Sequence, residues 1–156
     1  MKQKLRSLSL LIITAAITFP AQAATGSITK SGSAKIIFIL STGEGLSGLN
    51  GFFANSGNFT PGTLNKPKTL TQVRYEIAAY PQSLTDSVQL CYLQPYQSLP
   101  TRCITVASGS SGTTTQFNDL RFDTGVGLQI RHEVTGRPGD NVRPSRKESV
   151  TWDYSY

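Results

Sequence analysis

Histidine, methionine and tryptophan occur once each in this 156-residue chain, cysteine occurs twice, and charged side chains make up only 15% of it. A single histidine, His132, leaves any Ser-His-Asp or Cys-His machinery to be built around one ring, and no Gly-x-Ser-x-Gly is present to supply a nucleophile. Cys91 and Cys103 stand twelve apart with no histidine nearby, a spacing that fits neither a redox pair nor a metal pair. The apolar run from Leu8 to Phe19 falls short of the roughly 20 residues that cross a bilayer.

What is present at the start of the chain is an export signal. Lys2, Lys4 and Arg6 precede the apolar run, and Pro20-Ala-Gln-Ala23 supplies a small-x-small cleavage site before Ala24. Residues 1–23 therefore read as a cleaved signal peptide of bacterial type, and residues 24–156 as one mature domain, periplasmic or extracellular. The leader removes three of the fifteen Lys and Arg and none of the nine Asp and Glu, so the mature net charge is about +3. That surplus suits solubility and does not argue for nucleic acid. In an oxidising compartment Cys91 and Cys103 are expected to pair as a disulfide between neighbouring strands.

Periodicity points to strands. Val73, Tyr75 and Ile77 alternate with Arg74 and Glu76; Val126, Leu128, Ile130, His132 and Val134 alternate with Gln129, Arg131 and Glu133; and Val150, Trp152, Tyr154 and Tyr156 alternate with Thr151, Asp153 and Ser155. Shorter strands are expected at 35–40, 88–94, 102–107 and around 115–122, with no convincing helix. Strands at this spacing, broken by Gly, Ser, Pro and Asn, predict an all-β fold: a single antiparallel β-sandwich, Ig-like or jelly-roll-like, with one disulfide. Residues 42–67 and 136–146 read as long loops, and 108–115 as a polar connector.

Candidate chemistry is sparse. His132 falls on the apolar side of its strand, where a core or interface histidine is the expected reading. Glu76, Asp119, Asp123, Glu133 and Asp153 offer no reason to pair any two as general acid and base. No catalytic residue, metal ligand or cofactor is therefore assigned, and the protein is read as a non-enzyme. Arg137, Arg143 and Arg146 form a basic loop that could meet acidic glycans, lipopolysaccharide phosphate or an acidic partner. Phe52, Phe53 and Phe59 could stack on sugar faces, or plug the end of the sandwich.

The C-terminal Trp152-Asp-Tyr-Ser-Tyr156, an alternating apolar strand ending in aromatics in an exported, one-disulfide β protein, resembles the subunits of chaperone-usher fimbriae in general architecture. That resemblance implies an adhesin-like or pilus-associated role, with residues 24–34 as an N-terminal donor segment. Position 155 is Ser where that family places a tyrosine, and the nearest upstream glycine is Gly139. The expected function is surface interaction with a protein or glycan, as a monomer or a homo- or hetero-oligomer. A periplasmic inhibitor or protective factor is the alternative, and a small secreted hydrolase the third reading.

Overall fold

The computed structural model describes residues 23–156, so the expected leader lies outside the described residues except for Ala23. Ten strands run in chain order: β1 (Thr25–Ser33), β2 (Ile37–Phe38), β3 (Gly48–Phe53), β4 (Thr69–Glu76), β5 (Thr85–Leu93), β6 (Arg102–Val106), β7 (Ser111–Thr114), β8 (Gly127–Thr135), β9 (Asn141–Val142) and β10 (Lys147–Ser155). A single 3-10 turn, Ser56–Asn58, is the only helical segment among the described residues. All pairings are antiparallel, in two four-stranded sheets, β1-β10-β4-β7 and β3-β8-β5-β6, and a two-stranded ribbon, β2-β9. The fold is the expected antiparallel β-sandwich.

The alternation that identifies the strands also builds the core. Leu70, Val73, Val150, Trp152 and Tyr154 of the first sheet face Val88, Leu90, Tyr92, Leu128 and Ile130 of the second, all buried. Tyr154 anchors an aromatic cluster, with its ring 5.6 Å from Phe59, 5.1 Å from Phe122 and 5.8 Å from Tyr156. A smaller core of Ile37, Ile39, Tyr80, Val134 and Val142 lies under the ribbon.

Three expectations about local structure change. Residues 42–67 are not loop throughout, because β3 pairs with β8 from Gly48↔His132 to Phe53↔Gly127. Its glycines disguise it: a Cβ on Gly48 would meet the Ile37 side chain at 2.5 Å, so only glycine lets the strand approach. The short strand expected around 115–122 falls earlier, at β7 within the expected Ser/Gly/Thr connector; residues 116–119 are turn, and Phe117 and Phe122 plug the core. The basic loop contains β9, paired with β2.

The disulfide forms as expected. Cys91 and Cys103 are directly opposed on β5 and β6, with Cα atoms 4.0 Å apart, and tie the hairpin.

Candidate functional site

The structure brings together three charged groups that lie far apart in the chain. His132 on β8 is 2% exposed. Its Nδ1–H donates to Asp86 Oδ1 on β5 at 2.8 Å, and its Nε2–H donates to Glu148 Oε1 on β10 at 2.7 Å. The ring's pKa is raised from 6.5 to about 9, so at neutral pH both ring nitrogens carry protons and the ring is an imidazolium. Glu148 is further held by Asn50 Nδ2–H at 2.9 Å and the Ala78 N–H at 3.3 Å, and Asp86 by the Ser108 hydroxyl. Two buried carboxylates and one imidazolium leave a net negative charge, which these neutral donors answer.

Burial alone would lower the His132 pKa, but the hydrogen bonds and charges of Asp86 and Glu148 outweigh it and raise it from 6.5 to about 9. For Asp86, burial pushes upward and is outweighed by His132 and Ser108, leaving its carboxyl below the usual value. Tyr80 completes the cluster: its ring packs edge-on to His132 at 4.9 Å and its hydroxyl donates to the Lys35 carbonyl. Its phenol is pushed up by burial and by the negative charges of Glu148 and Asp86. With both nitrogens engaged and no nucleophile beside it, His132 is a buried polar pin between the sheets.

Above it, on the outer face of the second sheet, lies a shallow groove of about 510 Å³. It opens where β3 has ended. Upstream of Gly48 the chain leaves β8, since Leu46 N–H donates to the Phe38 carbonyl on the ribbon, and returns only at Gly45, whose N–H donates to the Val134 carbonyl. The groove is lined by the hydroxyls of Ser47, Thr85, Ser87 and Thr135 and by Arg131, Glu44 and Glu133. Thr85 and Thr135 bond to each other at 2.6 Å. The side chains of Ser87, Arg131 and Glu133 lie on strand positions opposite in phase to buried Val88 and His132, which is why they reach solvent.

The residues singled out from sequence divide. Phe52 and Phe59 are each 5% exposed and belong to the core, which removes them as stacking surfaces; Phe53, 50% exposed, remains on the outside. Arg146 stays exposed but also acts as a structural clamp. Its Nε–H donates to the Ile77 carbonyl, and its Nη2 to the carbonyls of Gly109 and Ser110, each at 3.0 Å. Arg137 and Arg143 face solvent. Of the carboxylates, Asp153 takes a two-point bond from Arg74 at 2.8 and 2.9 Å, Asp119 one from Arg102, and Asp123 pairs with Lys68.

Asp86 and Glu148 escaped the sequence reading, although each continues a buried phase: Asp86 precedes Val88, Leu90 and Tyr92, and Glu148 precedes Val150, Trp152 and Tyr154.

No protein-family model matches the chain, and a search of curated proteins gives no relative. Among solved structures, the crystal structure of FLHE superposes with a TM-score of 0.58 at 20% identity, covering 86% of this chain and 100% of that one. A structure of Desmodium yellow mottle tymovirus gives a TM-score of 0.42 at 11% identity, covering 94% of this chain and 93% of that one. The first likeness is one of fold; the chain is similar in fold to FLHE.

Proposed function

We propose that the protein is an exported, non-enzymatic, adhesin-like interaction protein that binds a surface glycan through the groove on the second sheet. The observation that carries this reading is the groove's lining: four hydroxyls, the Arg131 guanidinium and the carboxylates of Glu44 and Glu133 on a floor of paired strands. Such a surface offers alternating donors and acceptors to sugar hydroxyls, and its rigid scaffold limits the ordering cost of binding. The leader pattern and the disulfide support a periplasmic or extracellular setting, and no described helix is long and apolar enough to cross a membrane. A free adhesin-like protein fits better than a polymerising pilus subunit, because β1 pairs along all nine residues with β10 of its own chain instead of remaining free for donation. The test is a panel of immobilised glycans probed with wild type and with Ser87→Ala/Arg131→Ala. Wild-type binding lost in the variant supports the reading; no wild-type signal on any glycan rejects it.

A specific feature favours a second reading, an inhibitor or protective factor. The disulfide-tied β5-β6 hairpin ends in a proline-flanked tip where Tyr96, 80% exposed and at φ 62°, and Leu99 project into solvent. A stapled tip with a strained, exposed tyrosine is the kind of preorganised element that enters a partner's pocket. Inhibition of a purified hydrolase that is abolished by Tyr96→Ser, with glycan binding absent, would select this reading.

A further inference from the structure

The ribbon β2-β9 has two unlike sides. Ile37 and Val142 turn inward onto Ile39, Tyr80 and Val134, so the ribbon is fixed to the sandwich. Outward, Ile36, Phe38 and Leu46 are 52%, 41% and 53% exposed. They form one surface. Leu46 bonds to Phe38 through its N–H at 2.9 Å, and continuing the Ile37↔Val142 register sets Arg143 across from Ile36. Gly139 N–H donates to the Ile39 carbonyl at 2.9 Å, which holds the turn bearing Arg137 against the ribbon's end, and Lys35 directly precedes Ile36.

Among the described residues Lys35, Arg137 and Arg143 form no ion pair, whereas Arg74, Arg102 and Lys68 each meet a carboxylate. Asp140 and Glu44 are the acidic residues carried by the adjoining turns, so the surface keeps a cationic surplus. Three apolar side chains are too few for a stable protein interface, which needs roughly 1,000 Å² or more of buried surface with a core depleted in charge. They do suit the boundary of a bilayer, where a few apolar side chains enter beside the headgroups and flexible cations reach lipid phosphates.

We propose that the outer face of the β2-β9 ribbon, Ile36, Phe38 and Leu46 with Lys35, Arg137 and Arg143, is a peripheral contact surface for an anionic phospholipid bilayer. It adjoins the groove, since Leu46 lies between the groove-lining Gly45 and Ser47, but it does not depend on the groove's ligand. It also gives the basic loop a task that Arg146, committed to backbone carbonyls, does not share.

The test is flotation of the purified exported protein with vesicles of phosphatidylcholine alone or mixed in equal parts with phosphatidylglycerol. Binding is expected to the mixed vesicles only. Arg137→Gln and Arg143→Gln should each weaken it about fivefold, the equivalent of about 1 kcal/mol per cation. Phe38→Ser/Leu46→Ser should weaken it at least about tenfold with unchanged thermal melting, since these side chains lie outside the core. Inorganic phosphate at the headgroup concentration should not compete. No binding to mixed vesicles, full binding by the folded Phe38→Ser/Leu46→Ser variant, or displacement by phosphate would each overturn the proposal.

Discussion

His132 Nε2 lies 2.7 Å from Glu148 Oε1, a hydrogen bond that crosses from the second sheet to the first through the interior of the sandwich. A buried pair of this kind contributes little net stability over an apolar pair, but removing one member strands the other's charge. Glu148→Ala leaves Asn50 and the His132 Nε2–H without an acceptor. It should destabilise the fold by about 3–5 kcal/mol, measured as a shift in the urea unfolding midpoint. A loss below about 1 kcal/mol would mean that water or a neighbour replaces the carboxylate.

The same cluster sets the pH profile. The His132 pKa is raised from 6.5 to about 9, so its contribution is fully present below 6.5 and is lost as pH rises through about 9. The shift corresponds to about 3 kcal/mol. Asp86 is depressed, so its contribution is present above its ordinary value of 3.8 and is lost as pH falls through its still lower folded value. Urea midpoints should therefore fall between pH 6.5 and 9 in the wild type. That arm should flatten in His132→Gln; an equal alkaline fall in both proteins would assign it to other groups.

The cluster also marks the limit of what the sequence makes legible. The alternation through Val126, Leu128, Ile130 and Val134 places His132 inside, and the structure agrees. Asp86 and Glu148 share that inward phase but sit near strand beginnings, where a charged residue reads as solvated because burying one alone is costly. Only the topology, which brings positions 86, 132 and 148 together from three strands, makes their burial affordable. β3 was hidden for a different reason: Gly48 and Gly51 look like loop residues until the Ile37 and Phe53 side chains that occupy their missing Cβ space are seen. The groove was equally illegible, since it exists only because β3 stops short of the end of β8.

Cys91→Ser/Cys103→Ser should lower stability by about 3 kcal/mol or less, since the loop closed is short. The exported wild type should show no free thiol on alkylation. Labelling of both cysteines in periplasmic material would contradict the pairing.

Arg146→Lys should not preserve the clamp over Ile77, Gly109 and Ser110, because an ammonium cannot match the spread of the guanidinium. A loss of about 1–3 kcal/mol is expected by thermal or urea unfolding, with ligand binding retained in the folded variant. Unchanged stability would contradict the clamp.

The central claim, that the groove on the second sheet is the ligand site, is tested most directly by calorimetric titration of the strongest glycan from the panel into three proteins: wild type, Ser87→Ala/Arg131→Ala, and Arg137→Ala/Arg143→Ala. The groove variant should lose at least about tenfold in affinity, as expected for removing one charged and one neutral hydrogen-bonding group, while the basic-loop variant binds as the wild type does. Full affinity in the groove variant together with loss in the basic-loop variant would contradict the account and move the site to the neighbouring basic loop.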